Sequence, residues 1–177
     1  KSFRIMRTQL FIFILILCMT VSCRSGADPR EAKVIPGGKE MTEVNRYLVQ
    51  KDREIIENYI ERKDLGMTES PTGLWYLIKS VGAGENLKDN DRIKLNYRCE
   101  LIDGTLCYTS DDLGPKQVVI GRTDIEPGLN EGLRLLKPGG EALFILPPYL
   151  GHGLVGDGNK IPPRTIIVYY VAVLNEK

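Results

Sequence analysis

The clearest pattern in the chain is a strict alternation of apolar and polar residues near its centre. The apolar positions alternate with charged or amide side chains and are Ile93, Leu95, Tyr97, Cys99 and Leu101. Because successive side chains of a strand point to opposite faces, this period of two predicts a strand with one face in a core and one in water. Asp103-Gly104 is typical of a hairpin turn, so a second strand is expected through Leu106 and Tyr108.

The rest of the carboxy-terminal half predicts further strands around one short helix. Short apolar runs at 74–78, 118–120 and 142–146, and a longer one at 165–174, indicate strands. Pro127-Gly128 opens a helix in which three leucines recur at helical spacing: Leu129, Leu133 and Leu136. A long loop, 147–163, precedes the last strand, and loops of this length in compact domains are usually functional. Together these elements predict an α+β domain whose sheet wraps the helix.

An amphipathic helix is predicted before this domain. Its apolar stripe, at spacings of three, four or seven, is formed by Val44, Tyr47, Leu48, Ile55 and Tyr59. Thr42 is a candidate N-cap, Gly66 a stop, and Lys51 marks a point at which the helix could be broken. We assign 41–70 to this helical segment. Two interpretations stay open: the stripe packs on its own domain, or it forms a homodimer.

The amino terminus has the pattern of an export signal. Lys1, Arg4 and Arg7 precede an apolar run at 10–19, which is too short for a membrane span of roughly 20 residues. Thr20-Val21-Ser22-Cys23 resembles a bacterial lipobox, which implies a lipoprotein signal peptide at 1–22 and lipid attachment at Cys23. An ordinary cleaved signal with an incidental cysteine is the alternative. The Gly- and Pro-bearing residues 23–40 read as a flexible tether.

Charge balance and cysteine content narrow the classes of function. Lys plus Arg number 24 against 23 Asp plus Glu, so no field attracts nucleic acid, and nucleic acid is not expected as a partner. With Cys18 and Cys23 in the export segment, Cys99 and Cys107 remain in the folded body. Whether they pair depends on the hairpin register: a two-residue turn sets Cys99 opposite Tyr108, and one extra residue brings Cys107 opposite instead. Otherwise both are buried free thiols.

Several short motifs, in a fixed order, resemble one known family. They are Asn96-Tyr97, Asp103-Gly104-Thr105, Gly128-Leu129-Asn130-Glu131-Gly132-Leu133, Gly139-Gly140-Glu141-Ala142 and Lys160-Ile161-Pro162-Pro163. The series is similar to the FKBP-type peptidyl-prolyl cis-trans isomerases from Leu74 to Leu174. The lipobox and the amino-terminal helix further resemble the gliding-motility-associated lipoprotein branch. The resemblance implies, over 71–177, a half-wrapped antiparallel sheet around one short helix.

The resemblance also implies a set of catalytic residues around an apolar cavity. Tyr97 matches the tyrosine of the first long strand, and Tyr169 the aromatic residue of the last. Ile125 matches the residue whose backbone pairs with bound peptide. Leu129 stands where many members have a tryptophan floor, and His152 stands at the position of a hydrogen-bond-donating loop tyrosine.

Four further positions are implied to bind substrate, and two of them depart from the family pattern. Cys107 stands at a phenylalanine wall and Tyr108 at a carboxylate position, while Ile161 belongs to a flap above the site. Glu126, next to Ile125, completes the set. With Leu129 and His152 these departures predict weaker isomerase activity than in an aromatic-walled member, because lost wall contacts each contribute a few tenths to about one kcal/mol.

The implied reaction is rotation about an X-Pro bond, whose barrier of about 20 kcal/mol comes from amide resonance. It requires an apolar pocket and a few hydrogen-bond donors, and it implies no cofactor and no metal. Expected partners are proline-containing polypeptide clients, with a lipid anchor holding the protein in the bacterial cell envelope, on a periplasm-facing outer membrane. A binding module without meaningful catalysis and a structural dimer are the competing functions.

His152 is the only histidine of the chain. A Cys107–His152 pair would resemble a thiol nucleophile with its base, but no orienting group or oxyanion motif accompanies it, which disfavours covalent catalysis. A rim histidine and a hydrogen-bond donor to bound peptide are the other interpretations.

Overall fold

The computed structural model describes residues 38–122 and 124–175. The predicted signal peptide, Cys23 and the tether up to residue 37 lie outside the described residues. Within the described ranges, no helix combines the length and apolar character needed to cross a membrane.

The described chain contains strands, helices and one 3-10 turn. The helices are α1 (Gly38–Lys63), α2 (Ser110–Leu113) and α3 (Pro127–Leu133), with the 3-10 turn at Pro148–Leu150. The strands are β1 (Thr68–Glu69), β2 (Trp75–Ser80), β3 (Arg92–Leu101), β4 (Leu106–Thr109), β5 (Lys116–Val119), β6 (Glu141–Leu146) and β7 (Ile167–Val173). The predicted strands are all present, whereas α2, β1 and the 3-10 turn were not predicted.

The strands form one antiparallel sheet. Its order is β1-β2-β6-β7-β3-β4, and β5 pairs with the other end of β3 on the same edge as β4. Helix α3 packs on one face through Leu129 and Leu133, which join the core formed by β3, β6 and β7. The predicted fold, an antiparallel sheet around one short helix with a preceding amino-terminal helix, is confirmed.

The central strands β6 and β7 are buried on both faces. One face packs against α3, and the other contributes Leu143, Ile145 and Val168 to a second core with Ile56 and Tyr59 of α1. Both strands therefore read as continuous apolar runs rather than alternating ones, which is the pattern of strands with two covered faces.

Helix α1 is continuous and longer at its amino end than predicted. It already includes Gly38, so Thr42 is not its N-cap, and it has no break at Lys51. The ends of the segment also differ from 41–70, since Thr68–Glu69 pairs as a strand with β2.

The two halves of helix α1 differ in burial. The carboxy-terminal half packs on the sheet, as the first interpretation of its stripe predicted. At the middle of the helix, the Asp52 carboxylate accepts hydrogen bonds of 2.7 and 2.8 Å from Arg164. Toward the amino end, Val44 and Tyr47 are exposed at 47% and 65%.

A bulge in the β3–β4 hairpin decides the position of the cysteines. Cys99 pairs with Tyr108, but Glu100 already pairs with Leu106, so Cys107 is the extra residue of the bulge. Both cysteines are buried and free. The alternative of two buried thiols is thereby confirmed.

Candidate functional site

An apolar site forms between α3, the sheet and the loop at 151–163. It consists of Cys107, Ile125, Leu129, Ile161 and Tyr169, which belong to the main hydrophobic core, and of Tyr97, which packs against that core. They come from β3, β4, the segment before α3, α3 itself, the loop and β7. The fold thus brings these side chains into one core from distant positions in the sequence.

The apolar site is nearly closed. Apart from the partly buried Tyr97, its members are between 0% and 7% exposed. The rings of Tyr97 and Tyr169 lie tilted at 47° with centroids 6.4 Å apart. Lys116 Nζ lies 6.0 Å from the Tyr97 ring centroid, a cation–π arrangement at the edge of the site.

A buried carboxylate stands at the edge of this apolar site. Glu126 Oε1 accepts a hydrogen bond of 2.6 Å from the Tyr169 hydroxyl and lies 3.0 Å from Nε2 of His152. Glu126 Oε2 lies 3.8 Å from Lys116 Nζ and, among the described residues, has no hydrogen-bond partner. Glu126 is thus the residue that brings a carboxylate to the edge of the apolar site.

The neighbours of Glu126 keep it ionised. Burial by itself would raise the pKa of Glu126, but His152, Lys116 and the Tyr169 hydroxyl outweigh burial and lower that pKa to about 2. The hydrogen bond to Glu126 raises the pKa of His152 above its ordinary value of 6.5. Burial, together with the Glu126 charge, raises the pKa of Tyr169.

Tyr108 packs against the core of the apolar site and holds the loop through its hydroxyl. Its hydroxyl donates to Asp157 Oδ2, and it accepts a hydrogen bond of 3.4 Å from the Lys160 N–H. Asp157 Oδ1 in turn accepts the N–H groups of Asn159 and Ile161, each at 2.8 Å. The loop is thereby fastened to β4 directly above the apolar site.

The loop also depends on one glycine. Gly156 has a φ of +75°, and a Cβ there would lie 2.3 Å from the backbone oxygen of Ile161. A larger residue would have to break the turn that places Ile161 over the site.

Cys107 and His152 do not form a reactive pair. Cys107 Sγ lies 3.7 Å from the carbonyl oxygens of Thr105 and Lys160, while Nε2 of His152 faces Glu126. Burial raises the pKa of the Cys107 thiol, which disfavours the thiolate. The described residues also contain no group of three histidine, cysteine or carboxylate side chains that could hold a metal ion.

A polar cavity of about 300 Å³ adjoins the carboxylate. It is lined by Lys116, Asp124, Ile125, Glu126, Pro127, Gly151 and His152. The His152 side chain is 28% exposed, so part of the ring is open to a ligand.

Sequence reasoning missed two contributors to this region. Lys116 was not singled out from the sequence, and nothing local indicates its approach to Glu126. Asp157 could have been found, because Asp-Gly-Asn at 157–159 is a typical turn in which the aspartate accepts nearby backbone N–H groups. Its contact with Tyr108, 49 residues away, is a tertiary feature.

A family profile described as FKBP-type peptidyl-prolyl cis-trans isomerase matches residues 83–174. Among curated proteins, a probable FKBP-type peptidyl-prolyl cis-trans isomerase of Haemophilus influenzae is 32% identical over 146 residues, covering 82% of this chain and 59% of that protein. FkpA of Escherichia coli K12, named as an isomerase of the same type, is 36% identical over 128 residues, covering 72% and 46%. The chain thus spans about half the length of these relatives.

Solved structures agree with this likeness. The crystal structure of FkpA from Escherichia coli superposes with a TM-score of 0.60 at 26% identity, covering 80% of this chain and 73% of that one. The crystal structure of AtFKBP13 gives a TM-score of 0.58 at 25% identity, covering 63% of this chain and 98% of that one.

Proposed function

Because the chain belongs to the FKBP-type peptidyl-prolyl cis-trans isomerase family, we propose that it catalyses rotation about X-Pro bonds and so assists the folding of exported proteins. The observation that carries the proposal is the pairing of the Tyr97 and Tyr169 rings, 6.4 Å apart, against the same hydrophobic core that holds Ile125 and Leu129. The rotating imide separates less charge when twisted than when planar. A site that removes water from it therefore favours the twisted state.

The proposed roles follow from the position of each side chain. Tyr97, Leu129 and Tyr169 enclose the prolyl ring, and Ile125 offers its backbone to the client. Ile161 covers the ring from the loop. His152 and Glu126 lie at the polar edge, where the client backbone leaves the apolar site.

Entry of a client requires movement of the loop. Ile161 is 2% exposed, and the Tyr108–Asp157 contact fastens the loop above it. Cys107 contributes a smaller wall than the phenylalanine of the family pattern. Both features favour turnover below that of an aromatic-walled member, with client binding retained.

The isomerase proposal predicts a rate that depends on Ile161. In an exchange or protease-coupled assay on a short X-Pro peptide, the protein should accelerate isomerisation in proportion to its concentration. Ile161→Ala should lower kcat/KM about fivefold or more, because a cavity above the ring readmits water. Circular dichroism checks that the variant is folded.

Val155→Ala is the control on the same loop, since Val155 is 79% exposed. It should leave kcat/KM unchanged. If the peptide isomerises at its uncatalysed rate at every protein concentration, the isomerase proposal is wrong. Rates equal to those of an aromatic-walled member would show that the departures at Cys107, Leu129, Tyr108 and His152 do not matter.

A client-binding module with little catalysis is the second candidate function. The near closure of the apolar site and the fastened loop favour it, because a site that must open for each client limits turnover more than it limits equilibrium binding. Binding of a proline-containing peptide without measurable acceleration would support this candidate over the first.

We further propose that α1 forms a homodimer through its amino-terminal half. Val44 and Tyr47 lie one turn apart on the helix, and Met41, at 45% exposure, extends the same face. In the other half of α1, Ile56 and Tyr59 pack against the sheet. Deletion of the whole helix would uncover Leu143 and Ile145, so point changes are the cleaner test.

The dimer proposal predicts a change of mass on charge insertion. The double variant Val44→Glu, Tyr47→Glu should sediment as a monomer at concentrations where the wild type is dimeric, because two buried carboxylates would be unpaired in the interface. Leu113→Glu, at a 66% exposed position away from α1, should remain dimeric. A monomeric wild type at high concentration would contradict the proposal.

The location we propose is the bacterial cell envelope, with the protein lipid-anchored through Cys23 on a periplasm-facing outer membrane. The support is the basic and apolar sequence before Thr20-Val21-Ser22-Cys23. A mass spectrum of the mature amino terminus would reveal an unmodified Cys23 if the anchor is absent.

A further inference from the structure

The contact between His152 and Glu126 determines which ring nitrogen carries hydrogen. An ionised carboxylate only accepts hydrogen bonds. Nε2 of His152 lies 3.0 Å from Glu126 Oε1, so an N–H must be on Nε2 for the contact to be favourable. The lowered pKa of Glu126, about 2, keeps the carboxylate ionised over the physiological range.

The second ring nitrogen, Nδ1, therefore has two forms. When the imidazole is neutral, its hydrogen is on Nε2 and Nδ1 presents a lone pair. When the ring is protonated, both nitrogens donate. A histidine held by Glu126 is thus an acceptor in one charge state and a donor in the other.

The client chemistry selects between these forms. Proline has no backbone N–H, so the chain around an X-Pro bond offers carbonyl oxygens in excess of donors. A neutral Nδ1 would set a lone pair against a carbonyl oxygen, whereas an imidazolium N–H would donate to it. His152 contacts Glu126 at the border of the apolar site, its side chain is 28% exposed, and it lines the cavity of about 300 Å³.

We propose that Glu126 is a positioning residue that orients His152, so that His152 binds a client carbonyl oxygen only as the imidazolium. Client engagement therefore strengthens on acidification. This inference rests on the proposed isomerase or client-binding function and adds a condition on the charge state of its site.

Charged groups from several elements face His152 and set its titration. Glu126, before α3, raises its pKa most, and Asp157 of the loop adds to that, while Lys116 of β5 opposes both. The Tyr169 hydroxyl of β7 shares Glu126 Oε1, and Asp124 lines the same cavity. Protonation of His152 thus begins at a higher pH than for a free histidine.

The single histidine allows the charge state and client binding to be measured separately. Nitrogen-15 chemical shifts of His152 report the tautomer and its titration midpoint in the free protein. Titration with an X-Pro peptide lacking ionisable groups, between pH 5 and 8.5, reports affinity. We expect the Nε2–H tautomer above the midpoint, and affinity about tenfold tighter below it than above, following the same midpoint.

Two variants distinguish the orienting role of Glu126 from the effect of the charge on His152. Glu126→Gln should move the His152 midpoint down and shift the affinity step with it. His152→Tyr should bind the peptide without any step between pH 5 and 8.5, because a phenol donates throughout that range. His152→Tyr also keeps the test decisive if Glu126→Gln folds poorly.

The possible results distinguish failure of the inference from failure of the proposed function. An Nδ1–H tautomer, or a wild-type affinity that stays flat while His152 titrates, would overturn the inference and leave the proposed function standing. A step that persists in His152→Tyr would also overturn it. Absence of both peptide binding and turnover at every pH would overturn the proposed function as well, so the two failures are distinguishable.

Discussion

Replacing Leu129 by Ala is expected to lower the free energy of unfolding by about 3–5 kcal/mol. Leu129 is 0% exposed, so the change removes buried methyl groups and leaves a cavity. The cavity cannot collapse easily, because α3 already touches β6 through glycines. A Cβ on Gly132 would lie 2.7 Å from the Phe144 ring, and one on Gly128 would lie 2.7 Å from Leu146 Cγ.

Urea unfolding at constant pH measures this loss of stability, and Leu154→Ala is the matched control. Leu154 is 75% exposed, so its truncation should change the free energy of unfolding by less than about 0.5 kcal/mol. Equal effects of the two substitutions would mean that Leu129 does not lie in the core. The result also bears on function, because the residue assigned to the floor of the site is at the same time part of the core.

Replacing Glu126 by Gln is expected to remove about 3 kcal/mol of stability near neutral pH and to flatten the acid limb of the stability curve. The pKa of Glu126 is about 2 in the folded protein against an ordinary value of 4.5. A carboxyl whose folded pKa is lowered stabilises the fold above its unfolded pKa. That stabilisation is lost as pH falls from about 4.5 to about 2.

The contribution of His152 to stability depends on pH in the opposite direction. Its pKa is raised in the folded protein, so its contribution is fully present below pH 6.5 and is lost as pH rises through the folded pKa. Glu126→Gln should remove this alkaline decline together with the acid one. The free energy of unfolding of the variant should therefore depend less on pH at both ends.

Denaturant unfolding from pH 2.5 to 8 tests this prediction. Glu85→Gln is the control, because the Glu85 side chain is 87% exposed and its contact with Lys88 is a surface ion pair. It should follow the wild-type curve. Parallel curves for Glu126→Gln and the wild type would show that Glu126 is not held as a buried anion.

The regular elements of this fold follow closely from local sequence. The alternation along β3 predicted its bounds, because an apolar residue at every second position can be buried only by a strand. The start of α3 was equally clear, since Pro127 has the backbone angle that the first turn of a helix requires. Helix α1 was predicted, but its first residue was not, because the residues just before Thr42 (Lys39, Glu40 and Met41) are good helix formers and continue the helix.

The apolar part of the site could be identified from sequence because ordered motifs resembling a known family place Tyr97, Leu129 and Tyr169 in it. The polar edge could not. Glu126 and His152 are 26 positions apart, and Tyr108 and Asp157 are 49 apart, so neither pair leaves a periodic trace. The hairpin bulge was likewise undecided, since a register depends on what both faces of the sheet bury.

The sequence by itself determined the strands and the short helix, because burial of apolar surface acts through spacings of two and of three to four residues. Only the tertiary structure decided that His152 and the Tyr169 hydroxyl meet at the Glu126 carboxylate, and that Tyr108 fastens the loop. Hydrogen bonds and charges act over a few ångströms of space, whatever the separation along the chain. The chemistry at the edge of this site is therefore set by folding.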